Sequence, residues 1–232
     1  MKKENILLLL SELAYKRNSR IKDETIKAGL GVAIIRKVKK LKYIIVKYDK
    51  QIYIAIRGSA NKNNWMTNFI FWKKKTIYGK IPFGFYKAAR LIYNDISKAV
   101  TSSYEGKINI SGHSLGAALA FLVAMMLERE RGLDVDNVRS YAKPYTGKIT
   151  YKFKFNYIKF YNNLDGIYFT NLWNKRTLKN SVYISDNGKK YVEPSKEFIK
   201  LDRLKTIEKN RGKKELFKDH EILYYRQLLW EN

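Results

Sequence analysis

Cysteine is absent from the chain, and its absence excludes disulfide bonds and thiolate metal sites. A chain without cysteine is typical of a reducing compartment, where disulfides do not stabilise proteins. Histidine is scarce as well, because His113 and His220 are the only two. Two histidines are too few for the usual histidine-based zinc sites, so we expect no bound metal.

Long hydrophobic runs are also missing. The longest, Leu115–Leu127, has 13 residues, against about 20 for a membrane-spanning helix. Near the start, Ile6–Leu10 is shorter than the roughly 7–15 apolar residues of a signal peptide. The helical spacing of the apolar residues at 6, 9, 10, 13 and 14 instead predicts a surface helix with one core face. We therefore predict no signal peptide and no transmembrane helix, and a protein that is cytoplasmic or peripheral to membranes.

Acidic residues are outnumbered by basic ones, and the formal net charge is +26. Such a charge can attract nucleic acid or an anionic membrane surface. The lysines are nevertheless spread along the chain. A coding bias toward A- and T-rich codons, which include those of lysine, would produce such a spread without any function. The charge therefore bears on association, and not on fold or chemistry.

The order of the predicted elements favours an α/β fold. Strands are predicted at 31–38, 43–48, 51–57, 108–110, 138–142 and 157–161, and helices at 85–100, 115–131, 195–209 and from about 221. Asp186-Asn187-Gly188 lies between two short β-type runs and predicts a hairpin. Strands that alternate with helices favour a mostly parallel central sheet flanked by helices, here with an antiparallel start. We expect a single domain over residues 1–232.

The sharpest motif is Gly112-His113-Ser114-Leu115-Gly116, a G-x-S-x-G pattern between a predicted strand and a predicted helix. Such a turn holds the serine hydroxyl outside the sheet, and the glycines are needed because larger residues would collide there. The next backbone N–H and the helix N-terminus then face a developing oxyanion. Ser114 is accordingly the candidate nucleophile.

The candidate base and acid follow from chain order. His113 adjoins Ser114 and should project away from it, which leaves His220, in the hydrolase order Ser…Asp/Glu…His. Asp165 is favoured as the acid because it follows a strand, and catalytic groups of open α/β sheets collect at strand carboxyl ends. The other aspartates between serine and histidine remain open: Asp134, Asp136, Asp186, Asp202 and Asp219.

These residues resemble the class 3 lipases, the fungal-type triacylglycerol lipases of the α/β-hydrolase superfamily. The segment Ile110–Leu119 is similar to their serine motif almost throughout, and Ile54–Ser59 is similar to their strand and R-G-[ST] turn. Trp65 and Gly84-Phe85-Tyr86 also match family positions. The resemblance extends from about residue 31 to residue 220.

The resemblance implies roles for particular residues. Ser114, Asp165 and His220 would form the catalytic triad, and Ser59 and Leu115 the oxyanion hole. A lid or interface segment would contain four aromatic residues, Trp65, Phe69, Phe71 and Trp72, directly before Lys73-Lys74-Lys75. Aromatic side chains beside lysines suit an anionic lipid surface, although ordinary core packing of these aromatics is an equal alternative.

The expected function is a serine ester hydrolase that cleaves lipid carboxylic esters, as a triacylglycerol lipase or carboxylesterase, without a cofactor. A phospholipase acting on anionic membranes is the first alternative. A nonenzymatic basic binder of membranes or nucleic acid on a hydrolase scaffold is the second. We expect a lipid ester substrate and an anionic membrane surface as partners, but neither nucleic acid nor an obligate protein partner.

Overall fold

The computed structural model describes residues 1–59, 72–100, 104, 106–167, 178–209 and 220–230. The helices are α1 Lys3–Leu13, α2 Asn18–Lys27, α3 Phe83–Ala99, α4 Leu115–Arg131, α5 Lys196–Lys209 and α6 Ile222–Leu229. The strands are β1 Ile34–Val38, β2 Leu41–Tyr48, β3 Gln51–Ile56, β4 Lys73–Thr76, β5 Gly79–Pro82, β6 Ile108–His113, β7 Val135–Tyr141, β8 Lys148–Ile149, β9 Asn156–Asn162, β10 Ser181–Ile184 and β11 Lys190–Val192.

Eight of these strands form the main sheet, in the order β1-β2-β3-β6-β7-β9-β10-β11. Within this sheet the neighbouring strands β3, β6, β7, β9 and β10 pair in parallel. Strands β1, β2 and β3 pair antiparallel, and β11 pairs antiparallel with β10 at the other edge. The prediction of a mostly parallel sheet with an antiparallel start is confirmed. The hairpin predicted at residues 186–188 is confirmed as the connection between β10 and β11.

Both faces of the sheet are covered, and β3 shows how. Its residues Ile52, Ile54 and Ile56 pack into a core with α3 and α4. Tyr53 and Ala55 point the other way, into a core with α1 and α2. A strand that is buried on both faces has a continuous run of apolar residues, as β3 has from Ile52 to Ile56.

Helix α1 differs from its prediction. It was expected to be a surface helix with one core face, but every residue from Asn5 to Leu13 is buried. One side of α1 packs on the sheet, while Leu8 lies in a separate core with residues of α6. The error arises because α6, from the far end of the chain, covers the side that the local pattern left to solvent. Among the described helices, none is long and apolar enough to cross a membrane.

A second sheet of three strands, β4-β5-β8, was not predicted. Strand β4 has the sequence Lys-Lys-Lys-Thr and β5 the sequence Gly-Lys-Ile-Pro. Neither has the alternation of apolar and polar residues that identifies a strand. Pairing with a neighbouring strand, and not local propensity, makes these segments extended.

Candidate active site

The turn between β6 and α4 holds Ser114 in a strained backbone conformation, with φ 57° and ψ −126°. Such angles are rare for a residue with a side chain and persist only where the surroundings impose them. A Cβ on Gly112 would lie 2.4 Å from the Gly116 carbonyl, and one on Gly116 would lie 2.1 Å from the Ile56 oxygen. Because these neighbours are backbone atoms, both positions of the motif require glycine.

His220 lies within hydrogen-bond distance of both Ser114 and Asp165. His220 Nε2 is 3.1 Å from Ser114 Oγ, and His220 Nδ1 is 2.9 Å from Asp165 Oδ1. A carboxylate only accepts, so Nδ1 carries the proton and Nε2 is left to accept the serine hydroxyl. Ser114 and Asp165 are buried, while the His220 side chain is 20% exposed. The chain folds so that residues 106 positions apart meet at one edge of the sheet.

The Asp165 carboxylate has further donors. The Tyr225 hydroxyl donates to Oδ2 at 2.7 Å, and the Ile167 N–H donates to Oδ1 at 2.9 Å. Burial raises the pKa of Asp165, but the nearby His220 and these hydrogen bonds lower it by more, so the pKa lies below its usual value. The pKa of Tyr225 is raised well above its usual value, mainly by burial and then by the Asp165 charge. Tyr225 is therefore a fixed donor to an ionised carboxylate.

His113 turns away from the serine and lies behind His220. Its Nε2 is 2.6 Å from the His220 backbone oxygen, and its Nδ1 is 2.9 Å from the Tyr15 hydroxyl. A backbone oxygen can only accept, so Nε2 carries the proton and Tyr15 donates to Nδ1. Burial raises the pKa of Tyr15, which keeps its hydroxyl protonated. His113 thereby ties the backbone of His220 to the segment that follows α1.

Three of the five aspartates that the sequence left open have partners elsewhere. Asp202 accepts hydrogen bonds from Asn163 and Tyr183, and Asp186 pairs with Lys209 at 2.9 Å. Asp136 pairs with Lys3 at 2.9 Å. Asp219 lies outside the described residues. Among the described aspartates, Asp165 is the one that the structure brings to His220.

Ser59 and Leu115, the candidate oxyanion donors, lie on adjacent connections. Strands β3 and β6 pair in parallel with Ile56 opposite Gly112, so the segments that follow them leave the sheet side by side. Leu115 is the first residue of α4, where the backbone N–H has no partner within the helix. Ser59 is partly buried, three positions after the end of β3.

Of the lid and interface candidates, Trp65, Phe69 and Phe71 lie outside the described residues. Trp72 is described, and 84% of its surface is exposed. Core packing, the alternative for these aromatics, is thus wrong for Trp72. Within the part of the chain that the structure describes, no group of three or more potential ligands could hold a metal ion.

Sequence reasoning missed Tyr225 and Tyr15. Tyr225 lies three residues after Ile222 and four before Leu229, an apolar helical spacing typical of a core aromatic. Nothing in that pattern shows that its hydroxyl meets Asp165, 60 residues earlier in the chain. Tyr15 follows α1 without any motif.

Comparison with known proteins gives a consistent set of relatives. The family model described as "Lipase (class 3)" matches residues 53–167, about half of the chain. The chain is 35% identical over 105 residues to secreted mono- and diacylglycerol lipase 1 of Fusarium solani, a match covering 42% of this chain and 31% of that protein. It is 32% identical over 103 residues to a lipase of Rhizomucor miehei, covering 41% of this chain and 28% of that protein. The chain thus matches about a third of the length of these relatives.

Among solved structures, the Lip2 lipase of Yarrowia lipolytica superposes with a TM-score of 0.61 at 16% identity, covering 78% of each chain. At this identity the likeness shows the fold alone, and it confirms the α/β-hydrolase fold expected from the sequence.

The expectation of a cytoplasmic or membrane-peripheral protein is wrong, because the Fusarium relative is named as secreted. That expectation depended on the short apolar run near the start, Ile6–Leu10, and on the absence of cysteine. A chain of this length can bury a core large enough to be stable without disulfides, so lack of cysteine does not identify the compartment.

Proposed function

Because the chain belongs to the class 3 lipase family, we propose that it is a serine hydrolase of lipid carboxylic esters, as a triacylglycerol lipase or carboxylesterase. The observation that carries the proposal is the hydrogen-bonded series Ser114–His220–Asp165. It joins a nucleophile held on a strained turn, a base in the required tautomer and a buried carboxylate. Catalytic triads are recognised by such geometry and roles, independently of residue numbering, and this supports the proposal.

In this mechanism Ser114 Oγ attacks the ester carbonyl carbon while His220 Nε2 takes the hydroxyl proton. Asp165 holds the Nδ1 proton and stabilises the imidazolium that forms. The tetrahedral intermediate collapses when His220 returns the proton to the departing alcohol, which leaves an acyl group on Ser114. Water, deprotonated by His220, then attacks the acyl carbon. The bond to Ser114 Oγ breaks as His220 returns the proton to it, and the carboxylic acid is released.

The oxyanion would be stabilised by the Leu115 N–H together with the N–H and hydroxyl of Ser59. The support is their placement at the adjacent ends of β3 and β6. Each oxyanion-hole donor contributes on the order of 100-fold or more to kcat. The same site could serve a phospholipase on anionic membranes, and the net charge of +26 favours an anionic lipid surface as a partner. The nonenzymatic alternative does not explain why Ser114 is held in a strained backbone conformation.

A fluorophosphonate probe, which reacts with activated serines, tests the proposal. The wild-type protein should be labelled at Ser114 and should hydrolyse a short-chain water-soluble ester. Ser114→Ala should abolish labelling and lower kcat on the order of 10⁶-fold, as loss of a triad serine does. Ser19→Ala is the control, since Ser19 is an exposed serine on α2. Turnover by Ser114→Ala at the wild-type rate would refute the proposal.

A further inference from the structure

Lysines form a row across the small sheet β4-β5-β8. Lys75 of β4 lies opposite Lys80 of β5, and Lys80 lies opposite Lys148 of β8. Residues directly opposite each other in an antiparallel pair project to the same face. We call Lys75, Lys80 and Lys148 the lysine row. Strands are about 4.8 Å apart, so the Cα atoms of the three lysines lie within about 10 Å of one another.

This arrangement opposes the stability of the sheet. Like charges directly opposite each other on neighbouring strands repel, and at physiological salt screening becomes effective only beyond about 8 Å. All three side chains are exposed. Among the described residues, none of the three forms an ion pair, although acidic residues elsewhere do. An external anion is the partner that would relieve this repulsion.

The other lysines of β4 have different surroundings. Lys74 lies opposite the buried Ile81 and places its ammonium over the Tyr86 ring, 5.3 Å from the centroid. Lys73 places its ammonium 5.5 Å from the centroid of the Tyr145 ring. These two lysines have aromatic partners within the protein. The lysine row differs from Lys73 and Lys74 because its members face one another across neighbouring strands.

Exposed apolar side chains flank the same sheet. Trp72, directly before β4, is 84% exposed, and Phe83, directly after β5, is 45% exposed. The two are adjacent, since the Phe83 N–H donates to the Trp72 oxygen at 2.5 Å. At the opposite end, Ile77 in the β4–β5 turn is 68% exposed. Aromatic residues next to lysines are typical of the boundary between lipid headgroups and hydrocarbon.

We propose that the lysine row and the flanking Trp72 and Phe83 form a docking surface for anionic lipid. The inference rests on the proposed function, because a hydrolase of lipid esters must meet its substrate at a lipid surface. Charge complementarity selects an anionic headgroup, and the exposed aromatic rings favour a lipid surface over a polyanion without an apolar phase. Each lysine near such a surface contributes about five-fold to binding, so the row contributes on the order of 100-fold.

Vesicle sedimentation in the Ser114→Ala background measures binding without hydrolysis. Vesicles are phosphatidylcholine alone or phosphatidylcholine mixed with phosphatidylglycerol. The test variant changes Lys75, Lys80 and Lys148 to glutamine. The control changes Lys27, Lys37 and Lys47 to glutamine; these exposed lysines of α2, β1 and β2 give the same loss of net charge. Urea unfolding of both variants checks the fold, and the test variant should be at least as stable because repulsion is removed.

Binding should require phosphatidylglycerol and weaken as salt rises. The test variant should lose on the order of 100-fold in affinity, and the control less than about ten-fold. Equal losses in the two variants would overturn the proposal in favour of diffuse attraction by net charge. Absence of vesicle binding, or tighter binding to a DNA duplex than to anionic vesicles, would also overturn it. Fluorophosphonate labelling of Ser114 in the otherwise wild-type triple variant should be unchanged, so failure of docking and failure of the proposed catalysis are distinguishable.

Discussion

Removing the Tyr225 hydroxyl would test whether the buried network around Asp165 is as important as its geometry indicates. Tyr225 is fully buried, donates to Asp165 Oδ2 at 2.7 Å and accepts the Asn162 N–H at 2.8 Å. Tyr225→Phe keeps the ring, so the packing in the core with Leu8 and Ile222 is preserved. The substitution therefore deletes two hydrogen bonds and creates only a small void.

The expected loss of stability follows from those two bonds. A hydrogen bond to a charged group contributes about 1.5–3 kcal/mol, and a buried N–H left without an acceptor costs about 1–3 kcal/mol. We expect Tyr225→Phe to lower the free energy of unfolding by about 4 kcal/mol. For a chain of this length that corresponds to a fall in Tm of roughly 10 °C. His220 and Ile167 still donate to Asp165, so kcat should fall much less than the roughly 10⁴-fold expected when the imidazole tautomer is lost.

Urea and thermal unfolding at neutral pH measure the stability change, and hydrolysis of a soluble ester measures kcat. Tyr157→Phe is the matched control, because the Tyr157 hydroxyl is buried without a hydrogen bond of normal geometry to the described residues. That control should be neutral or slightly stabilising. If the two variants were equally stable, the network would contribute nothing, and the reasoning from Tyr225 to Asp165 would be refuted.

Three further changes test the site. His220→Ala should reduce kcat nearly as much as Ser114→Ala, with the double variant little worse, because triad members act as a unit; additive losses measured in steady-state kinetics would argue against a triad. Asp165→Asn should lower kcat by up to about 10⁴-fold, and a mild effect would reassign the acid. The lowered pKa of Asp165 stabilises the fold above the ordinary carboxyl pKa of about 3.9, and this stability is lost as the pH falls through the lower folded pKa. Acid unfolding of Asp165→Asn should therefore depend less on pH below about pH 4, and an unchanged slope would contradict this assignment. Gly116→Ala should destabilise the fold by several kcal/mol in urea unfolding, because its Cβ would overlap the Ile56 oxygen; normal stability would show that the turn can relax.

The sequence alone determined those features that depend on local patterns. The strand β3, the helix α4 with its end at Gly132, and the β10–β11 hairpin all have patterns within a few residues that specify them. The serine turn belongs to the same class, because the two glycines and Ser114 meet within five positions. Chain order and the scarcity of histidine then made His220 the candidate base without knowledge of the fold.

Only the tertiary structure decided which distant groups meet. The sequence favoured Asp165 over Asp186 and Asp202 because it follows a strand, but it could not show which carboxylate meets His220. Pairing between strands likewise made a row of Lys75, Lys80 and Lys148, which lie as much as 73 positions apart in the chain. The physical reason is common to both cases. Local sequence sets backbone preference and burial pattern, whereas hydrogen bonding and charge proximity depend on side chains that approach only when the sheet is assembled.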